Sequence, residues 1–190
     1  MNLPNKLTIL RLILIPFYIF FLMTDFFRWT SIAALIVFAA ACLTDMLDGQ
    51  IARRKNLVTD FGKFADPLAD KILVISAMVC FVDLEIMPAW VCIVILAREF
   101  AVSGLRLVAV GQGVVLAASW WGKFKTTAQM IMCLLMTLDI ESLLGKTAAE
   151  STFVSAYNIV TIVIMYIALA LTLISMFDYF YKNRGSISVK

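Results

Sequence analysis

The stretch VSAYNIVTIVIMYIALALTLISMF, residues 154–177, contains no charged residue. A helix needs about 20 mostly apolar residues to cross the hydrocarbon core of a bilayer, so this stretch predicts a membrane-spanning helix. The whole chain has the same character, since 63% of its 190 residues are hydrophobic and 15% are charged. A soluble domain has roughly 45–50% apolar residues. The sequence therefore predicts an integral membrane protein.

Further apolar stretches are long enough for spans once a few interior polar positions are allowed. They are residues 7–23, 29–43, 67–82, 88–110 and 126–138. We expect an all-α protein with six transmembrane helices, a short amphipathic N-terminal segment and one domain over residues 1–190. No small-residue cleavage site precedes Asp25, so the first span is expected to be retained and not to be a signal peptide.

Lysine and arginine are concentrated on one side of these six predicted spans. Cytoplasmic segments retain basic residues and exported loops lose them, so both termini are predicted to be cytoplasmic. The exported side carries only Arg28 and Lys146. The basic side carries Lys6, Arg11, Arg53, Arg54, Lys55, Lys63, Lys123, Lys125, Lys182, Arg184 and Lys190.

The composition disfavours histidine-based chemistry, cysteine-based chemistry and nucleic-acid binding. The chain has no histidine, which removes the commonest metal ligand and general base. Its four cysteines lie inside apolar stretches without C-x-x-C spacing, which predicts packing residues and neither disulfides nor thiolate ligands. The net charge of +3 is too small to indicate nucleic-acid binding. Metal or proton chemistry must therefore depend on carboxylates.

Aspartates occur in two pairs at helical spacing within DMLDGQIARRKNLVTDFGKFADPLAD, residues 45–70. Asp45 and Asp48 are three residues apart, and Asp66 and Asp70 are four apart, so each pair shares a helix face. Pro67 either starts the third span or bends it one turn in, and both readings keep Asp66 and Asp70 a turn apart. A short connection between the second and third spans then brings the two faces together.

Four clustered carboxylates repel one another unless cations neutralise them, and oxygen ligands select Mg²⁺ or Mn²⁺. A site for one or two divalent ions is the hypothesis that this segment favours. The alternative is that Asp45 and Asp66 cap helices while the others lie at a solvated interface. Gly49 and Ala52 leave room for a nucleotide near the backbone, and Arg53 offers a planar fork to a phosphate.

The same segment reads D-x-x-D-G-x-x-A-R-x8-G-x-x-x-D-x-x-x-D. This pattern resembles the signature of the CDP-alcohol phosphatidyltransferases at every signature position, and the six predicted spans resemble that family along the whole chain. The resemblance implies that the four aspartates bind two divalent ions and that Asp70 also accepts the proton of the acceptor alcohol. It further implies contacts to CDP-diacylglycerol, made by Thr8, Arg11, Gly49, Ala52, Arg53 and Thr59.

Two other stretches look like the family members that make phosphatidylglycerophosphate. They are AREFAVSGLR, residues 97–106, and WGKFKTTAQ, residues 121–129. An acceptor that carries a phosphate monoester, such as glycerol 3-phosphate, needs additional cations beside the metal site. The residues predicted to bind it are Arg98, Arg106, Lys123 and Lys125. For the two lysines the alternative is an ordinary cytoplasmic charge, whereas Arg98 in mid-span is not explained that way.

The sequence thus predicts a magnesium- or manganese-dependent enzyme of the cytoplasmic membrane, with its active site facing the cytoplasm. It would transfer the phosphatidyl group from CDP-diacylglycerol to glycerol 3-phosphate directly and release CMP. The resemblance also implies a homodimer. The alternatives are a family member that makes phosphatidylserine, phosphatidylinositol or cardiolipin, or a transporter that uses membrane aspartates for cations. The transporter lacks support, because no inverted repeat is visible.

Overall fold

The computed structural model describes residues 3–24, 29–55, 60–111, 120–144 and 152–183. Their side chains are described except at 3–4, 45–55, 60–67, 70, 110–111 and 183. Within these ranges every regular element is an α-helix, so the predicted all-α class is confirmed. The helices are α1 (Leu3–Met23), α2 (Thr30–Lys55), α3 (Asp60–Asp83), α4 (Ala89–Gly111), α5 (Trp120–Thr137), α6 (Ile140–Leu144) and α7 (Thr152–Asn183).

Each of the six predicted spans coincides with one of the long helices. Three stretches of the described chain are long and apolar enough to cross a membrane: Asn5–Met23, Trp120–Leu144 and Thr152–Lys182. Thr30–Thr44 is apolar but shorter. Helix α4 is long enough, but it carries Arg98, Glu99 and Arg106 inside its length. The membrane character is supported by these helices, and the count of six spans stays a prediction.

The chain divides into two compact units. The first comprises residues 1–86 and 133–155, and the second comprises residues 87–132 and 156–190. The prediction of one domain over residues 1–190 stays a prediction.

In the first unit, α1 packs against α2 and α3, and α2 packs against α3. The core between them is apolar and includes Ile15, Phe38, Leu73 and Phe81. A polar contact in this unit joins Tyr18 Oη and Thr137 Oγ1 at 2.9 Å, while the Tyr18 ring packs on Phe38 with 5.2 Å between centroids. A buried phenol needs such a partner because an unpaired hydroxyl is costly away from water.

Helix α3 ends in a turn that the local sequence does not predict, since no glycine lies at the turn. Ile86 N–H donates to Phe81 C=O at 3.0 Å and Glu85 N–H donates to Val82 C=O at 3.1 Å. This is a Schellman motif, in which the residue after the helix adopts a left-handed conformation. Glu85 takes that position with φ 59° although glycine is the usual residue there. The turn satisfies carbonyl groups that the helix end would otherwise leave open.

In the second unit, side-chain hydrogen bonds join α4, α5 and α7. Arg98 on α4 bonds to Ser175 on α7, and Gln129 on α5 bonds to Thr172 on α7. The opposite surface of α7 is apolar and exposed, for example at Ile159, Val163 and Phe177. A helix with a polar inner stripe and an apolar outer surface is typical of a bundle that faces lipid.

Candidate active site

Helix α2 runs without a break through the first half of the aspartate motif. Positions 45, 48, 49 and 52 follow the spacing i, i+3, i+4 and i+7, so they share one face of this helix. By the same helical register that face continues the buried stripe of Ala34, Phe38 and Ala41. The predicted pairing of Asp45 and Asp48 on one helix is confirmed at the level of the backbone.

Helix α3 carries the second half of the motif, and here one expectation was wrong. The helix begins at Asp60, so Pro67 lies about two turns inside it and neither starts it nor bends it one turn in. Residues 60–66 form the part of the helix that precedes Pro67. Because proline has no N–H, the helix lacks one backbone hydrogen bond at that position. Asp66 and Asp70 stay one turn apart on the same helix, and their positions are in register with the buried Leu73 and Ala77.

Helix α1 supplies polar residues to the same unit. Asn5, Thr8 and Arg11 are buried on the face that also carries Ile15 and Tyr18, and Thr8 and Arg11 are 0% exposed. A short connection makes α1 and α2 antiparallel neighbours. Tyr18 on α1 packs on Phe38 on α2, so these two residues lie at the same level of the helix pair. Arg11 lies seven residues before Tyr18, and position 45 lies seven residues after Phe38. Because the helices are antiparallel, Arg11 and position 45 are also close to the same level. Thr8 comes close to the level of position 48 in the same way.

The side chains of Asp45, Asp48, Asp66 and Asp70 lie outside the described residues, as do those of Gly49, Ala52 and Arg53. Thr59 lies outside the described backbone as well. Among the side chains that are described, no group of three or more acidic, cysteine or histidine residues could hold a metal ion. The donor chemistry of the motif still fits a hard divalent cation, because four carboxylates on two helices that pack together supply only oxygen ligands.

The second unit contains a buried ionic group, which we call the Arg98 cluster: Arg98, Glu99, Lys125 and Ser175. Glu99 Oε1 accepts a hydrogen bond from Arg98 Nη1 at 3.3 Å and another from Lys125 Nζ. The side chains of Arg98, Glu99 and Lys125 are 8%, 14% and 5% exposed. Two cations share one carboxylate in this buried cluster, and such a concentration of cationic groups favours an anionic ligand.

Two residues predicted to bind the same acceptor are placed differently. Arg106 is exposed and lies eight residues after Arg98 on α4, about 12 Å along the axis at about 1.5 Å per residue. Lys123 is exposed and stacks over the Trp120 ring at 4.4 Å from its centroid. The structure therefore brings Arg98 and Lys125 together through Glu99, and it places Arg106 and Lys123 at the surface of the unit.

Ser175 and Thr172 on α7 were not found from the sequence. Arg98 Nη2 donates to Ser175 Oγ at 2.6 Å, and Gln129 Nε2 donates to Thr172 Oγ1 at 3.3 Å. Lys125 and Gln129 are one turn apart on α5, and Thr172 and Ser175 are one turn apart on α7. The signal was available, because hydroxyl residues within an otherwise apolar span face neighbouring helices more often than lipid.

The fold and the aspartate motif define a helical membrane protein in which the spacing of the carboxylates suits phosphate-transfer chemistry. The sequence model of the CDP-alcohol phosphatidyltransferase family matches residues 1–174, so the chain belongs to that family.

Three curated relatives are 37–41% identical to this chain, and the names of two of them specify both substrates. The CDP-diacylglycerol--glycerol-3-phosphate 3-phosphatidyltransferase of Bacillus subtilis is 41% identical over 197 residues, covering 96% of this chain and 95% of that protein. The protein of the same name from Haemophilus influenzae is 37% identical and covers 98% and 95%. A probable phosphatidylglycerophosphate synthase of Mycobacterium tuberculosis is 37% identical and covers 94% and 79%.

Proposed function

We propose that this protein transfers the phosphatidyl group of CDP-diacylglycerol to the primary hydroxyl of glycerol 3-phosphate, giving phosphatidylglycerophosphate and CMP. Family membership and the names of the relatives support this activity. The observation within the structure that carries it is the buried Arg98 cluster, in which two cations share one carboxylate. Serine and inositol carry no phosphate monoester, so neither acceptor accounts for such a cluster.

The aspartates form the reaction centre in this proposal. Asp45, Asp48, Asp66 and Asp70 would hold one or two divalent ions, Mg²⁺ or Mn²⁺, and these would supply positive charge to stabilise the reacting phosphates. Asp70 takes the proton from the acceptor hydroxyl, a role that contributes typically about 10²–10⁴-fold to a rate. The hydroxyl oxygen then bonds to the phosphorus of the diacylglycerol phosphate as the bond to CMP breaks. The released proton leaves through the Asp70 carboxyl group.

The nucleotide lipid is bound by the helix face that carries the motif. Gly49 and Ala52 allow close approach to the α2 backbone, and Arg53 binds a phosphate oxygen. Thr8 and Arg11 act from α1, where both are buried at the level of the aspartate positions. Thr59 completes the set.

The acceptor is oriented by its phosphate. Arg98 and Lys125 provide the buried part of this binding site, and Arg106 and Lys123 provide its exposed part. Fixing the phosphate restricts the free hydroxyl to geometries from which it can attack, which lowers the entropic part of the barrier.

The proposal extends to the setting of the enzyme. It is a six-span protein of the cytoplasmic membrane, with both termini and the active site on the cytoplasmic side, and it acts as a homodimer. The concentration of lysine and arginine on one side of the predicted spans supports the orientation. The apolar exposed surface of α7 supports residence in lipid.

Acceptor dependence of CMP release tests the proposed function. Purified protein in detergent with CDP-diacylglycerol and Mg²⁺ should release CMP rapidly with glycerol 3-phosphate and slowly with glycerol, serine or inositol. Glycerol is the matched comparison, since it keeps the attacking hydroxyl and lacks the phosphate. Equal rates with glycerol and glycerol 3-phosphate would remove the role assigned to the Arg98 cluster.

A further inference from the structure

Glu99 occupies an unusual position between two cations. One of its oxygens, Oε1, accepts hydrogen bonds from both Arg98 and Lys125, which lie 27 positions apart in the sequence on different helices. All three side chains are largely buried. Like charges this close repel strongly away from water, so the carboxylate makes their approach possible.

Ser175 fixes the other end of the same guanidinium. Arg98 Nη2 bonds to Ser175 Oγ at 2.6 Å, while Arg98 Nη1 bonds to Glu99. Because the guanidinium is planar, two anchors on separate nitrogens set the orientation of its plane. Arg98 Nε is also buried, and it has no hydrogen-bond partner among the described residues. The anchored side chain thus keeps a donor in addition to those that Glu99 and Ser175 use.

We propose that Glu99 and Ser175 are positioning residues for acceptor binding, which hold the Arg98 guanidinium and the Lys125 ammonium ready for a phosphate. The proposal rests on the proposed function and adds residues to it. Neither residue touches the acceptor. Glu99 sets the spacing of the two cations, and Ser175 sets the plane of the guanidinium. The conformational entropy of both side chains is therefore lost when the protein folds and not when the substrate binds.

Isosteric or near-isosteric changes test this idea. Glu99→Gln keeps the shape and an accepting oxygen but removes the charge, and Ser175→Ala removes one hydroxyl. We expect Glu99→Gln to raise the KM for glycerol 3-phosphate about tenfold, and Ser175→Ala to raise it about threefold, as loss of a charged and a neutral hydrogen bond implies. The KM for CDP-diacylglycerol should stay within the range of the controls in both variants. The Tm should fall in Glu99→Gln, which leaves two buried cations without their carboxylate, and should change little in Ser175→Ala.

Matched controls make the same chemical changes elsewhere. Glu85→Gln neutralises an exposed carboxylate, and Ser155→Ala removes an exposed hydroxyl from the same helix as Ser175. Ser155 is 20 residues from Ser175, about 30 Å along a helix. Ser175→Thr retains a hydroxyl and should restore most of the affinity for glycerol 3-phosphate. A purely structural role would instead raise the KM values for glycerol 3-phosphate and CDP-diacylglycerol together.

A double-mutant cycle adds a sharper criterion. If Glu99 acts through Lys125 and Arg98, then Glu99→Gln should have a clearly smaller effect on KM in a Lys125→Met background than in the wild type. Independent effects that multiply would overturn the proposal, as would a lower KM for glycerol 3-phosphate in Glu99→Gln. Wild-type protein that does not use glycerol 3-phosphate would overturn the proposed function itself. Variants that match their controls, beside a wild type that uses it, would overturn only the positioning role.

Discussion

Replacing Arg98 by alanine is the change with the most clearly defined consequences. Arg98 is 7% exposed and joins Glu99 and Ser175 through two different nitrogens. Charge-assisted hydrogen bonds contribute roughly 1.5–3 kcal/mol each, and about 1.4 kcal/mol is a factor of ten in affinity. Loss of one phosphate contact should therefore raise the KM for glycerol 3-phosphate about tenfold to a hundredfold. The loss of affinity for glycerol 3-phosphate should be partial, because Lys125 stays in place through its hydrogen bond to Glu99 and can still bind the phosphate.

A lysine at the same position gives the informative comparison. Arg98→Lys keeps the positive charge, but a single ammonium group replaces the two guanidinium nitrogens that separately reach Ser175 and Glu99. We expect an intermediate KM for glycerol 3-phosphate. Part of the loss should also appear in kcat, because the anchored phosphate positions the attacking hydroxyl.

The assay is a pair of titrations on each variant, one with glycerol 3-phosphate and one with CDP-diacylglycerol, with CMP release as the readout. The KM for CDP-diacylglycerol is the internal control and should change by far less. An Arg98→Ala enzyme whose KM and kcat for glycerol 3-phosphate match the wild type would refute the reasoning. Equal increases in both KM values would indicate a general loss of structure.

The other predictions concern the reaction centre. Asp45→Asn, Asp48→Asn and Asp66→Asn should each abolish turnover at limiting Mg²⁺, since an amide donates less charge to a hard cation; near-normal activity in any of them would remove that residue from the metal site. Asp70→Asn should still bind CDP-diacylglycerol, measured by equilibrium binding, but should lose the chemical step; normal turnover would exclude Asp70 as the base. Direct transfer predicts no exchange of labelled CMP into CDP-diacylglycerol without acceptor, and such exchange would indicate a covalent intermediate.

The helices were predictable because their apolar stretches are long. The ends of helices that begin or finish in polar sequence were harder to predict, as α3 shows. Its span was expected from residue 67, but the helix starts at Asp60, and the turns before Pro67 include charged residues that a hydropathy criterion leaves out. Hydropathy follows contact with lipid, whereas a helix continues wherever its backbone hydrogen bonds do. The same difference separates the predicted end of the second span at residue 43 from the end of α2 at Lys55.

The charged residues of the site could be predicted because a charge inside an apolar stretch is costly and therefore usually has a function. Arg98 was a candidate because an arginine inside a span is costly unless it has a function or a partner, and the structure shows that it is buried and paired with Glu99. Glu99 follows Arg98 directly in the sequence and could neutralise it there, and the structure shows that it also binds Lys125. Ser175 was missed because a serine in an apolar helix can bond to a carbonyl of its own helix, and only the three-dimensional packing shows that it contacts Arg98.

The most direct test of the central claim is product identification from a mixture of acceptors. Purified protein would receive CDP-diacylglycerol, Mg²⁺ and equal concentrations of glycerol 3-phosphate, serine, inositol and phosphatidylglycerol, and the lipid products would be identified by mass spectrometry. The account predicts phosphatidylglycerophosphate as the dominant product, formed in equal amount with CMP. Predominant formation of phosphatidylserine, phosphatidylinositol or cardiolipin would contradict it.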